Sequence, residues 1–167
     1  MALNAYLKLK GQKSGQIKGS VIQKGRENMI EVNAYSHEIV SPRDPASGLA
    51  TGRRMHKPFV ITKELDKSSP VLYQVMVTNE NISEFELKCF APNKAAATGA
   101  GVETNHFTIK LTNAHISSIR SVMRNNNDAE LAKFPVEEEI SFTYQKIEWT
   151  WVDGGITAQD DWESPVV

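Results

Sequence analysis

Cysteine is nearly missing from this chain: Cys89 is the only one in 167 residues. No disulfide can therefore close within the chain, and a reducing cytoplasm is the expected site of folding. Long apolar runs are missing as well. The opening residues MALNAYLKLKGQ alternate apolar and polar, which suits no secretory signal, and no segment approaches the roughly 20 apolar residues of a membrane helix. Charge of one sign is also absent, because 19 Lys plus Arg meet 20 Asp plus Glu. That balance gives no basic surface for nucleic acid and no polyacidic tail. The glycine loops that cradle phosphate and the G-x-S-x-G nucleophile turn do not occur. His37, His56, His106 and His115 are scattered without metal-ligand spacing. Glu137, Glu138 and Glu139 would point alternately to opposite faces of a strand, which does not make an acid–base pair. No catalytic, cofactor or metal residues are expected, and the chain is not expected to be an enzyme.

What is present is a β-protein. With 40% apolar residues, one core can bury roughly 70% of the unfolded chain's surface, so residues 1–167 are expected to form a single domain with a loose tail over 162–167. Charge is unevenly spread along it. Residues 1–67 hold 12 Lys plus Arg against 6 Asp plus Glu, whereas residues 68–167 hold 7 against 14. Two readings follow: the halves neutralise each other within one fold, or a basic face meets an acidic face on an identical neighbour.

Three segments carry the same anomaly. In residues 137–151, EEEISFTYQKIEWTW, the apolar positions are even at Ile140, Phe142 and Tyr144 and odd at Ile147, Trp149 and Trp151. Successive strand residues face opposite ways, so a bulge must restore the register or the two ends must pack on different surfaces. As one strand, the run would reach roughly 45 to 50 Å, far beyond the usual length of about five or six residues. Residues 29–40 drift in the same way, with Ile30, Val32 and Ala34 even and Tyr35 and Ile39 odd. In residues 102–122 the parity switches near Asn113. Shorter signals complete the pattern. Leu3, Ala5, Leu7 and Leu9 alternate in a half-buried strand, as do Phe85, Leu87 and Cys89, and residues 16–21 suggest a short pairing segment. Pro58 before Phe59 suggests an edge strand. One helix is expected after Ser68-Ser69-Pro70, with a serine capping its amides and Val71, Leu72, Val75 and Met76 on one face. Residues 41–52, SPRDPASGLATG, read as an extended, mobile loop flanked by Arg53 and Arg54, and residues 91–101 as a small-residue loop. Asp128 caps a single turn in a third loop, and residues 156–167 read as an acidic tail held by Ile156 and Trp162. Many strands, one helix and no β–α–β alternation favour a closed or nearly closed antiparallel β-barrel with a flanking helix. Leu7, Leu9, Phe85, Phe107 and Phe142 are the expected core.

Residues 32–74 (VNAYSHEIVSPRDPASGLATGRRMHKPFVITKELDKSSPVLYQ), 102–120 (VETNHFTIKLTNAHISSIR) and 140–162 (ISFTYQKIEWTWVDGGITAQDDW) resemble the haemolysin-coregulated proteins, Hcp, tube subunits of the bacterial type VI secretion system. The resemblance spans nearly the whole chain. It implies a mainly β fold, a barrel of two curved antiparallel sheets with one helix, assembled into a homohexameric ring. Stacked rings would make a hollow tube that a contractile sheath on a baseplate drives outward behind a spike protein, with small effector proteins held in the lumen. It further implies synthesis in the bacterial cytoplasm and export through that system without a signal peptide. No cofactor, nucleic acid or membrane insertion is implied. Carried over by position, Ser36 faces the lumen and contacts cargo, and residues 41–52 are the loop that touches the stacked ring, with Arg43, Leu49, Arg53 and Arg54 as inter-ring or inter-subunit contacts. Two alternatives share the strand inventory. A monomeric barrel carrying a small ligand would need an apolar cavity where Phe107, Phe142 and Leu7 stand, and a contractile phage tail tube would share the architecture.

Overall fold

Each parity change in the sequence is a crossing from one sheet to another. A computed structural model describes residues 4–92 and 103–163; Leu3, most of the small-residue loop and the end of the tail lie outside the described residues. The chain runs β1 (Ala5–Gly11), β2 (Gly15–Ile17), β3 (Ile30–Val32), β4 (Ala34–Ser36), β5 (Ile39–Val40), β6 (Met55–His56) and β7 (Phe59–Glu64). The helix α1 (Ser69–Val77) follows. Then come β8 (Ile82–Pro92), β9 (Glu103–Thr112), β10 (His115–Val122), β11 (Glu137–Thr143), β12 (Lys146–Trp151) and β13 (Ile156–Asp161). Seven strands form one sheet in the order β13-β12-β9-β8-β1-β2, with β3 also on β1, and four form another in the order β10-β11-β7-β4.

The three long strands expected from the sequence are thus each two strands. β3 belongs to the large sheet and β4 to the small one, with the break at Asn33, whose amide donates to the Thr62 carbonyl at 2.9 Å. β9 passes into β10 at Asn113, which adopts φ +50°, a left-handed conformation that asparagine tolerates. β11 passes into β12 at Tyr144 and Gln145. These last two corners are tied together, since Asn113 Nδ2 donates to Gln145 Oε1 at 2.7 Å and the Gln145 amide donates to the Thr112 carbonyl at 3.1 Å. Ile140, Phe142 and Ile147 are all fully buried in one core, because bending the chain at the corner turns both parities inward.

The core lies between the two sheets. Leu7, Leu9, Phe85 and Leu87 of the large sheet meet Phe59, Ile61, Ile140 and Phe142 of the small one. Phe85 is the hub, with edge-on rings at 5.6 Å to Phe59 and 5.0 Å to Phe142. Leu7, Leu9, Phe85 and Phe142 are thus core as expected, while Phe107 packs on its margin and is partly exposed. Among the described residues the ladders form separate sheets and do not close into a continuous barrel. β7 lies between β11 and β4, so the strand after Pro58 is internal and not an edge. The supposed tail is β13, paired along its length to β12 across a turn in which Gly154 and Gly155 have φ +82° and +63°. Ion pairs Lys8–Glu84, Arg26–Glu103 and Lys63–Glu138 join the basic and acidic halves within one chain, which favours internal neutralisation.

α1 buries Leu72 and Val75 and carries Pro70 in its first turn. Its serines do not cap it as expected. Ser69 Oγ instead accepts from Lys63 Nζ at 3.1 Å and from the Asp66 amide at 3.1 Å, while the Ser68 hydroxyl donates to Asp66. Asp66 and Lys63 compete for those hydroxyls and win them. Past the helix, Glu80 accepts from the Lys13 and Ser14 amides at 2.6 Å each and fixes the β1–β2 turn.

One glycine is required by close approach. A Cβ on Gly19 would stand 2.2 Å from the Met29 carbonyl oxygen and 2.6 Å from Ile30 Cα, both backbone atoms. Gly19→Ala must push the backbone at residue 19 away from that of Met29 and Ile30, and an overpacking loss of about 2 to 3 kcal/mol in urea unfolding is expected. A loss within about 0.5 kcal/mol would mean that the segment yields freely.

Candidate functional site

The part of the molecule with nothing of its own to bury is an arm. Ile39 pairs with His56 and Val40 with Met55. Further out, the Thr51 amide donates to the Pro42 carbonyl at 3.0 Å, Arg43 bridges to Ala50, and the Asp44 amide donates to the Leu49 carbonyl at 2.8 Å. At the tip, Asp44 Oδ1 accepts from the amides of Ala46 and Ser47 at 2.7 and 2.8 Å, and Gly48 turns the chain at φ +71°. Those amides hold the Asp44 carboxyl below its usual range, with Ser47 the stronger influence. Residues 41–52 are therefore not the shapeless loop their composition suggested but the end of a hydrogen-bonded hairpin. Its apolar residues face outward: Leu49 is 69% exposed and Met55 51%. A lone two-stranded hairpin is marginally stable in water, so this one needs an anchor.

The anchor lies at its root. Arg54 grips the Asp160 carboxylate with two parallel bonds, Nε to Oδ2 at 2.5 Å and a terminal nitrogen to Oδ1 at 2.6 Å, and reaches the Asp161 carbonyl at 3.0 Å. His56 Nε2 meets the same Asp160 carboxylate at 2.6 Å, and its Nδ1 meets the Tyr144 hydroxyl at 2.8 Å. His37 Nε2 reaches that hydroxyl from the other strand of the arm at 2.6 Å. Five side chains from both arm strands, the β11–β12 corner and β13 thus share one network. Hydrogen bonding to Arg54, more than the bond to His56, holds the Asp160 carboxyl low despite some burial. Burial, with a smaller contribution from the Asp160 charge, pushes the Tyr144 phenol well above its usual value, so it stays a hydroxyl. No local pattern marks this cluster, because its hydrogen bonds join residues 88 to 107 positions apart.

The remaining site residues fall on two surfaces. Arg43, Leu49 and Arg53 are on the arm, Arg43 at its bridge and Leu49 and Arg53 exposed, while Arg54 turns inward to the anchor. Ser36 ends β4, the edge of the small sheet, and with Val60, Ser141, Lys57 and Pro58 lines an open groove of about 560 Å³. The ladder sets Ser36, Val60, Ser141 and Ser118 side by side across the outer face of that sheet. This face alternates with the buried Phe59, Ile61 and Ile140, and its next row holds Ala34, Thr62, Glu139 and Arg120, so it is polar with little apolar bulk. Among the described residues no cluster of three or more His, Cys, Asp or Glu could hold a metal ion, and no helix is long and apolar enough to cross a membrane.

Two facing antiparallel sheets, an end helix and an anchored hairpin define a mainly β scaffold shared with solved secretion proteins. The Hcp1 protein from E. coli EAEC 042 pathovar superposes with a TM-score of 0.82 at 36% identity, covering 96% of this chain and 99% of that one. The secreted protein Hcp3 from Pseudomonas aeruginosa matches with a TM-score of 0.77 at 29% identity, covering 98% of this chain and all of that one. The "Major exported protein" of Pseudomonas aeruginosa is 37% identical over 175 residues, 99% of each chain. The sequence profile of the family described as "Type VI secretion system effector, Hcp" matches residues 6–151. This chain belongs to the Hcp family of type VI secretion proteins.

Proposed function

We propose that the chain is a structural subunit that closes with five copies of itself into a ring, and that stacked rings form the hollow tube of a type VI secretion system carrying effector proteins in its lumen. The observation that carries this reading is the arm: a folded hairpin fixed to its own protomer at the root yet presenting Leu49 and Met55 to solvent. A neighbouring copy gives those residues something to cover. A stable contact of this kind buries at least about 1,000 Å² with an apolar centre and a charged rim, which Leu49 and the flanking Arg43 and Arg53 would supply. β13 and β4 are sheet edges, and a ring gives such edges a neighbour in place of solvent. Export is supported by the family's description and by a relative named for being exported, and the spike, the sheath and the baseplate are the partners such a tube would need. Electron microscopy of the purified protein tests the reading: six-fold rings support it, and featureless single particles oppose it.

The polar outer face of the small sheet suits the lumen, because it offers cargo modest contact with no large apolar patch to hold it fast. Ser36 sits where the groove opens. Ser36→Gln, which adds bulk without charge, is expected to reduce cargo retained on purified rings severalfold while ring mass is unchanged. Equal retention by the two proteins, measured by pull-down of a co-expressed effector, would remove Ser36 from the lumen surface. The carrier alternative gains no support from the core, where Phe59, Phe85 and Phe142 occupy the space a ligand would need.

A further inference from the structure

We propose that the anchor at the root of the arm is a pH-sensitive latch, which acidification through the histidine range unseats from Tyr144 and β13 while the core stays folded. The protons in the network can be placed one by one. His56 Nε2, 2.6 Å from the Asp160 carboxylate, carries a hydrogen, so in the neutral ring Nδ1 is an acceptor. The Tyr144 hydroxyl donates its single hydrogen to that Nδ1, and its lone pair accepts the Nε2 hydrogen of His37. Every bond is satisfied with both imidazoles neutral. A second proton on His37 would place a cation among the rings of Phe59, Tyr144 and Trp149.

The surroundings do not welcome that cation. From the arm itself come Glu38, already paired to Lys57 at 2.9 Å, and the positive Arg54 and Lys57. From β13 comes Asp160, both of whose oxygens are engaged by Arg54 and His56, and Asp161, which accepts from Gln145 at 3.3 Å. Phe59 on β7, Trp149 on β12 and the Tyr144 hydroxyl bring no negative charge. Burial, and secondarily His56, push His37 below its ordinary value. The seated arm therefore takes up this proton at lower pH than the unseated arm. Above the ordinary histidine range both forms are neutral and seating is unaffected. As pH falls from that range towards the depressed value, the unseated arm binds more protons and seating weakens. Any effect on ring stacking rests on the proposed role of the arm, but the latch itself does not.

Amide hydrogen exchange of the full chain at pH 7.5 and pH 5.0, corrected for intrinsic rates, tests the latch. Protection of Thr51 and Lys57 is expected to fall severalfold relative to core amides such as Leu111. His37→Gln keeps a donor for Tyr144 but cannot titrate, and should flatten that fall to within about twofold. A pH-independent arm in the natural chain, or an undiminished fall in His37→Gln, would overturn the proposal. Should the glutamine variant fail to seat at pH 7.5, the ring titration of His37 followed by NMR decides. In the natural chain its midpoint should lie below that of free histidine, and a midpoint at the ordinary histidine value would overturn the latch. Since these readouts report on each subunit's arm, failure of the latch is distinguishable from failure to form rings.

Discussion

Lys63→Met is expected to lower unfolding stability by about 3 to 5 kcal/mol, the range for breaking a buried ion pair by removing one partner. Lys63 is fully buried, and its ammonium lies 2.9 Å from the Glu64 carbonyl, 3.0 Å from Asp66 Oδ1, 3.1 Å from Ser69 Oγ and 3.2 Å from Glu138 Oε2. Glu138 is equally buried, and neither of its oxygens makes a hydrogen bond of proper geometry within the described residues, so the ammonium is its counter-charge. Methionine fills the same channel with a similar apolar stem and leaves that carboxylate alone in the core. Two variants separate charge from packing. Lys63→Met with Glu138→Leu should recover most of the loss, because removing both charges is often neutral or stabilising. Equal losses in the single and double variants, read from urea midpoints with unchanged slopes, would show that packing and not charge is at stake. Asp66 adds a pH term of known sign. Burial raises its carboxyl, but hydrogen bonds from Ser68 and Lys63 outweigh this and hold it below the usual value. Its contribution is present above the ordinary carboxylate range and lost as pH falls through the lowered value.

Under the proposed tube assembly, Arg54→Glu is expected to abolish stacking at concentrations where the natural chain would stack, a shift of more than about tenfold in the assembly midpoint, with the protomer still folded. The substitution removes a two-bond grip on Asp160 and sets a second carboxylate against it beside His56. The arm loses its fixed direction, and Leu49 and Met55 lose theirs with it. Arg53→Glu is the companion, since Arg53 is an exposed arm residue. It should weaken assembly less, and the deficit should shrink as salt rises. Light scattering against concentration, with circular dichroism to verify folding, measures both. Assembly of Arg54→Glu at the natural midpoint would separate the anchor from stacking.

Much of this was legible in the chain, and for a physical reason. A strand's two-residue period makes any parity switch a statement about which way the chain turns, so Asn113 and the Tyr144 corner could be found from Ile, Phe and Trp positions alone. What the parity could not tell was whether each segment stays in one sheet, because one sharp corner and one long bent strand leave the same pattern. The helix was legible from Pro70 and its apolar stripe, but the serine hydroxyls were misassigned, since Asp66 and buried Lys63 compete for them through tertiary contacts. The arm hid behind its composition: Asp44 followed by Pro45 and small residues signals a side-chain-closed turn as readily as a mobile loop. The anchor left no local trace at all. His37, His56, Tyr144 and Asp160 are ordinary residues until folding brings them to one hydroxyl and one carboxylate.

Native mass spectrometry of the purified chain, at a concentration well above that of dilute assays, tests the self-assembling subunit most directly. The account predicts a dominant species at six times the 18.6 kDa protomer mass, with multiples of it where rings stack. A persistent 18.6 kDa species at high concentration would contradict it.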